Sequence, residues 1–144
     1  MKIAIGGDHA GFAYKSKLID FIKDGLSYIV QDFGPFSNES VDYPDFVHPL
    51  CRELVKGNFD LGIVLCGSGN GVAISCNKHC HIRAALCFNL EVAKLARNHN
   101  NANVCAIPAR FLTYEEVKNI VNIFIISEFE GGRHGIRVDK ISRF

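Results

Sequence analysis

Asp60–Gly71 reads DLGIVLCGSGNG, and this stretch decides the fold class. Leu61 through Leu65 is apolar without alternation, the pattern of a strand covered on both faces rather than one. It runs through Cys66 straight into Gly67, Gly69 and Gly71. In open parallel sheets ligands bind outside the carboxyl ends of the strands, so Cys66 stands at the mouth of a site. The three glycines let backbone N–H groups approach an anion closely. A tight strand-to-helix turn over a buried cysteine is the plainer alternative. The loop lacks the Gly-Lys-Ser/Thr ending of a phosphate loop, which argues against nucleotide hydrolysis.

Outward from this stretch, strand-like and helix-like segments alternate. Strands are expected near Lys2–Gly6, Tyr28–Phe33, Leu61–Cys66, Arg83–Phe88 and Asn103–Ile107. Gly11–Gly25 carries Tyr14, Leu18, Phe21 and Ile22 at helical spacing, with Gly25 as the expected stop. Asp45–Lys56 reads as a helix, and Pro49 inside it requires either a later start or a place in the first turn. Thr113-Tyr114-Glu115-Glu116 is a capping box before an apolar helix face. The order βαβα predicts an α/β fold, a three-layer αβα Rossmann-like sandwich on a five-stranded parallel sheet, with a C-terminal tail helix. The whole of 1–144 reads as a single domain.

Bulk properties exclude several functions. The chain has 144 residues, 48% of them apolar, and a net charge of +1. That supports one well-filled core and gives no footing for nucleic acid or an anionic membrane surface. No apolar run spans a bilayer. Met1–Gly11 does not read as a signal peptide, and the six cysteines lack a secreted-domain spacing, so we expect reduced thiols and a cytoplasmic protein.

Other polar groups recur at element ends. Gly6-Gly7-Asp8-His9-Ala10-Gly11 follows the first strand, on the same sheet edge as Cys66. Asp8 can accept from sugar hydroxyls or cap the first helix. His99, in Arg97–Asn103, can act as acid or base, or serve with its asparagines as a polar cap. Arg110, Arg133 and Arg137 suit phosphate. The two glycines of Gly131–Arg137 make that basic tail mobile or bent, and a neighbouring subunit or a phosphate would hold it. Cys76, His79, Cys80 and His81 match no structural zinc spacing, and no metal is expected there.

Taken in order, GGDHAG (6–11), DYPDF (42–46), CGSGNG (66–71) with Asn77-Lys78, HIRAAL (81–86), RNHNNANV (97–104) and EGGRHGIRV (130–138) cover nearly the whole chain. In these motifs the chain resembles ribose-5-phosphate isomerases of the B type, within the wider family of galactose- and allose-6-phosphate isomerases. The resemblance implies an aldose–ketose isomerase of the pentose phosphate pathway, working without metal or organic cofactor on a sugar phosphate. It implies Cys66 as the base, His99 as the acid that opens the furanose ring and Ser68 as a catalytic hydroxyl. It assigns substrate contacts to Asp8, His9, Tyr43, Gly67, Ser68, Gly69, Asn70, Gly71 and Asn100, and phosphate contacts to Arg110, Arg133 and Arg137. A homodimer with shared active sites, and possible higher oligomers, follow from the same likeness. Where some members carry a glutamate base this chain has Val72, so it goes with the cysteine version. Ser68 stands for a more frequent threonine, and His79-Cys80-His81 departs from an apolar-glycine stretch. Rival readings are a hexose-phosphate isomerase of the same family and a silent sugar-phosphate-binding module.

Overall fold

The computed structural model describes residues 1–141 and 143. Five strands pair in parallel in the order β2-β1-β3-β5-β4: β1 Lys2–Gly7, β2 Ile29–Asp32, β3 Leu61–Cys66, β4 Ala84–Leu86 and β5 Val104–Pro108. Six α-helices accompany them: α1 Phe12–Asp20, α2 Pro44–Val55, α3 Asn70–Cys76, α4 Leu90–Asn100, α5 Tyr114–Ile126 and α6 Arg133–Val138.

The central strand explains the layering. All six residues of β3 are buried, and alternate ones face opposite ways. Leu61, Ile63 and Leu65 pack with Leu18, Val117, Ile120, Val121 and Phe124 beneath α1, α4 and α5. Val64 and Cys66 pack with Val47, Leu50, Cys51, Val72, Ala73 and Cys76 beneath α2 and α3. The unbroken apolar run is therefore the mark of a doubly covered strand, and Cys66 belongs to the α2–α3 face.

Strand order places the crevice. From β1 the chain crosses to β2 on one side, then returns past β1 to β3 on the other. The β1/β3 pair is thus the switch point at which ligands bind in such sheets. Gly7 lies opposite Leu65 in this pair, so Asp8 and Cys66 emerge side by side.

Three expectations need correction. The first helix ends at Gly25 as expected, but not as a regular α-helix throughout. After Asp20 the turn widens into a π segment, Phe21–Gly25, in which the Leu26 N–H reaches the Phe21 carbonyl at 3.2 Å. The left-handed residue that reverses the chain is then Ser27, φ 58°, not Gly25. The second helix starts at Pro44, in the first turn where a missing N–H costs nothing, and runs through Pro49 to Val55. Pro49 is neither before the helix nor in its first turn, and the Asp45 carbonyl forgoes the bond that residue 49 would supply. Burial of Val47, Leu50, Cys51 and Leu54 on either side carries the helix across the break. Lastly, β4 is only Ala84–Leu86. The Asn77 side chain brackets Ala84 through both its N–H and its carbonyl, at 2.8 and 2.9 Å, while the Asn103 side chain takes the Arg83 N–H at 2.8 Å.

Candidate active site

At the carboxyl edge of the sheet the backbone of β1 turns past β3 in van der Waals contact. A Cβ on Gly7 would lie 1.9 Å from the Leu65 carbonyl oxygen, and one on Gly11 would lie 2.5 Å from the Leu65 Cβ. Glycine at both places is what lets the Asp8 N–H donate to that carbonyl at 3.0 Å. Asp8 is buried. Its Oδ1 accepts from the Ala10 N–H at 2.9 Å, a local turn. Helix α1 starts from Gly11 without any side-chain cap, so the capping reading of Asp8 fails. His9 takes the Val41 N–H on Nδ1 at 3.3 Å. That bond leaves Nε2 to carry the proton of the neutral ring and to donate to a ligand.

Cys66 ends β3 with 4% of its surface exposed. The Gly69 N–H points back at its Sγ, at 3.1 Å, a donor aimed at the sulfur by the loop itself. Gly69 has φ +75°, and a Cβ there would strike Leu86 Cδ1 at 2.4 Å. The loop thus closes over Cys66 only with glycine at this position. Ser68 is exposed and its Oγ accepts from the Asn70 N–H at 3.3 Å. Arg110 lies across Gly67, where a Cβ would come within 3.3 Å of its Nε. The loop and β5 are tied together by the Ala109 and Arg110 N–H groups on the Cys66 and Gly67 carbonyls. Tyr43, at the N-cap of α2, lies over Gly71, with its hydroxyl 2.6 Å from where a Cβ would stand. Asp8, His9, Tyr43, Cys66, Gly67–Gly71 and Arg110 therefore gather at one edge of the sheet, around the Cys66 thiol.

His99, Asn100, Arg133 and Arg137 do not meet there. Helix α4 runs back from the carboxyl edge, so His99 in its last turn lies at the amino edge, just before β5 begins opposite Gly62. At about 3.3 Å per residue, β3 puts its full length between that edge and Cys66. The asparagines around His99 divide the structural work. Asn101 is the left-handed C-cap, φ 45°. The Asn98 amide donates to the Glu128 carbonyl at 2.9 Å, and Asn103 braces Arg83. Neither His99 nor Asn100 joins in this capping. Asn100 is exposed on a cavity of about 620 Å³ that it shares with Lys78, His79, His81 and Arg83. Arg133 and Arg137 are exposed on α6, where Arg137 Nη1 donates to the Arg133 carbonyl at 3.1 Å.

In sequence and overall fold the chain has well-defined counterparts. The family model described as ribose/galactose isomerase matches residues 3–141. The chain belongs to this family. It is an isomerase. Ribose-5-phosphate isomerase B of Escherichia coli is 38% identical over 142 residues, covering 98% of this chain and 94% of that one. Among solved structures, that of Clostridium thermocellum ribose-5-phosphate isomerase B superposes with a TM-score of 0.97 at 45% identity, over 99% of this chain and 96% of that one. The Thermotoga maritima ribose-5-phosphate isomerase structure gives 0.95 at 43% identity, over 99% and 98%. Among the described residues no helix is long and apolar enough to cross a membrane.

Within this isomerase the amino edge holds groups that reading the sequence had missed. The His99 and His134 rings stack at 4.0 Å between centroids and 5° between planes. Glu130 Oε2 lies 3.8 Å from Nε2 of each. Burial, and then the charge of His99, hold the His134 pKa below its ordinary value, while Glu130 pulls it upward. The signal available in the sequence was the four-residue step from Glu130 to His134 within EGGRH. His48 and His79 form a second unforeseen pair, Nδ1 to Nε2 at 2.8 Å. The discounted cluster does not converge: Cys76 is buried against Cys51, His79 turns to His48, and Cys80 is exposed.

Proposed function

We propose that the chain interconverts D-ribose 5-phosphate and D-ribulose 5-phosphate through an enediolate, with Cys66 as the base. The observation that carries this reading is a buried thiol at the switch point, capped by an N–H donor and flanked by Asp8, His9, Tyr43 and Arg110. Isomerisation moves a proton from C2 to C1 of the open-chain sugar, and the hydroxyl proton from O2 to O1. A thiolate held between C1 and C2 can take the first proton and return it. Backbone N–H groups of the glycine loop can stabilise the oxygen on which charge develops. Ser68 and Asn70 complete the polar wall, and the buried Asp8 carboxylate and the His9 Nε2–H suit sugar hydroxyls.

Ring opening is a separate task. It requires a proton delivered to the ring oxygen and one taken from the anomeric hydroxyl, and His99 is the group assigned to it. His99 and Cys66 occupy opposite edges of one chain, so the reading requires a second copy. One copy contributes Cys66, Asp8, His9, Tyr43, the Gly67–Gly71 loop and Arg110. The other contributes His99, Asn100 and, through Arg133 and Arg137, positive charge for the phosphate. Clamping the unreactive phosphate holds C1 and C2 at the thiol. No metal or organic cofactor enters these steps.

Purified protein assayed against ribose 5-phosphate, allose 6-phosphate and galactose 6-phosphate tests the substrate. The expected result is the highest kcat/KM with ribose 5-phosphate. A preference for either hexose phosphate moves the reading to that branch of the family, and turnover of none overturns the substrate assignment.

A further inference from the structure

We infer that His99, Glu130 and His134 form a binding site for one divalent transition-metal ion of the zinc type, and that its occupancy switches the isomerase off. Nε2 of each histidine lies 3.8 Å from the same Glu130 oxygen, and the three ligand atoms lie within 4.8 Å of one another. A tetrahedral zinc ion with bonds of about 2.0–2.1 Å holds its ligand atoms roughly 3.3 Å apart. Closing the triangle therefore asks for shifts of about an ångström. Two imidazoles and a carboxylate favour Zn²⁺, Cu²⁺ or Ni²⁺ over Mg²⁺ and Ca²⁺, which prefer all-oxygen shells.

The surroundings are rigid where the site needs support and open where it must adjust. The segment before Glu130 is stitched to the last turns of α4. Arg97 Nε donates to the Ser127 carbonyl, the Asn98 amide to the Glu128 carbonyl, and the Glu130 N–H to the Asn98 carbonyl. These bonds deliver Glu130 to His99. The stacked rings project their in-plane lone pairs side by side, so an ion requires one ring to turn about its Cβ–Cγ bond. Gly131 and Gly132, at φ +67° and +53°, precede His134, and a Cβ on either would meet nothing within 4 Å. His48 and His79 supply two nitrogens at 2.8 Å but no third ligand among the described residues.

The inhibitory half of the inference rests on the proposed ring-opening role of His99: a metal on Nε2 occupies the lone pair that proton transfer uses. The test is a Co²⁺ titration of the whole protein, followed by its visible spectrum, beside isomerase assays in Zn²⁺. One Co²⁺ per chain is expected, with Mg²⁺ failing to compete. Affinity falls more than roughly a hundredfold, beyond the range for loss of an outer-shell partner, in both Glu130→Gln and His134→Ala, and is unchanged in His48→Ala. Zn²⁺ inhibits the native enzyme reversibly by chelation and does not inhibit His134→Ala. Absence of binding, or binding indifferent to both Glu130→Gln and His134→Ala, overturns the site. Binding that obeys the variants but leaves turnover of ribose 5-phosphate intact upholds the site and overturns the role given to His99.

Discussion

Cys66 combines near-complete burial with a position at a strand end, beside a glycine loop whose Gly69 N–H points at its sulfur. Burial alone makes a cysteine a small apolar core residue. The Gly69 N–H on its sulfur, and the neighbouring Asp8 and His9, make it a candidate base. Cys66→Ala is expected to lower kcat by at least the 10²- to 10⁴-fold typical of a lost general base, while the protein unfolds in urea within about 1 kcal/mol of native. A variant that keeps native kcat removes Cys66 from the chemistry. For His99 the proposed division of labour predicts asymmetry. Ribose 5-phosphate closes to a furanose, whereas ribulose 5-phosphate, its O5 esterified, cannot. His99→Asn is expected to cut initial turnover of the aldose far more than that of the ketose, measured by stopped-flow with each substrate. Equal losses place His99 in the proton transfer itself or in the architecture. Cys66 and the glycines were readable from residue order because a strand end and its loop are contiguous. The partners of His99 were not, because Glu130 and His134 reach it across more than 30 residues of chain through contacts that no periodicity encodes.

At the scale of elements, β3, β5 and the capped helix α5 match their sequence signals closely. Thr113 caps α5, with Glu116 reaching back to its N–H at 2.7 Å. Elements with internal conflict were less legible. Pro49 argues locally against α2, and only the burial of its flanking residues settles the matter. The π turn at Phe21–Gly25 has no local signal at all. Where α2 meets the turn after α3, His48 pairs with His79, and the His79 pKa is held down first by burial, then by the charges of His48 and Arg52. A histidine depressed in the folded state contributes stability that is present above its unfolded value and lost as the pH falls through the folded one. The fold is therefore expected to weaken as the pH drops below about 6.5, the ordinary histidine value. Urea midpoints measured from pH 8 to pH 5 read this out. His79→Gln is expected to flatten the decline, and an unchanged slope assigns it to other groups.

The whole molecule places its two sets of polar residues on opposite edges of one sheet. Parallel strands joined by helices make this unavoidable: loops after strands gather at one edge, and helix ends preceding strands gather at the other. Sequence order could place Cys66 and His99 on their elements, and the resemblance to sugar-phosphate isomerases implied that they act together. The same likeness implied a shared homodimer site, and the sheet topology gives that proposal its reason by setting the two residues at opposite edges of one chain. The central claim is thus a site built from two copies, each giving one edge. Its most direct test mixes Cys66→Ala with His99→Asn chains, both expected to be inactive toward ribose 5-phosphate, unfolds them together, refolds the mixture and assays it with that substrate. A hybrid of the two pairs the intact Cys66 of one chain with the intact His99 of the other, and random assortment into two-fold dimers returns up to about a quarter of native activity. Recovery of that order is the predicted result. A mixture as inactive as either variant alone, after native gel or mass measurement shows that hybrids formed, contradicts the shared site.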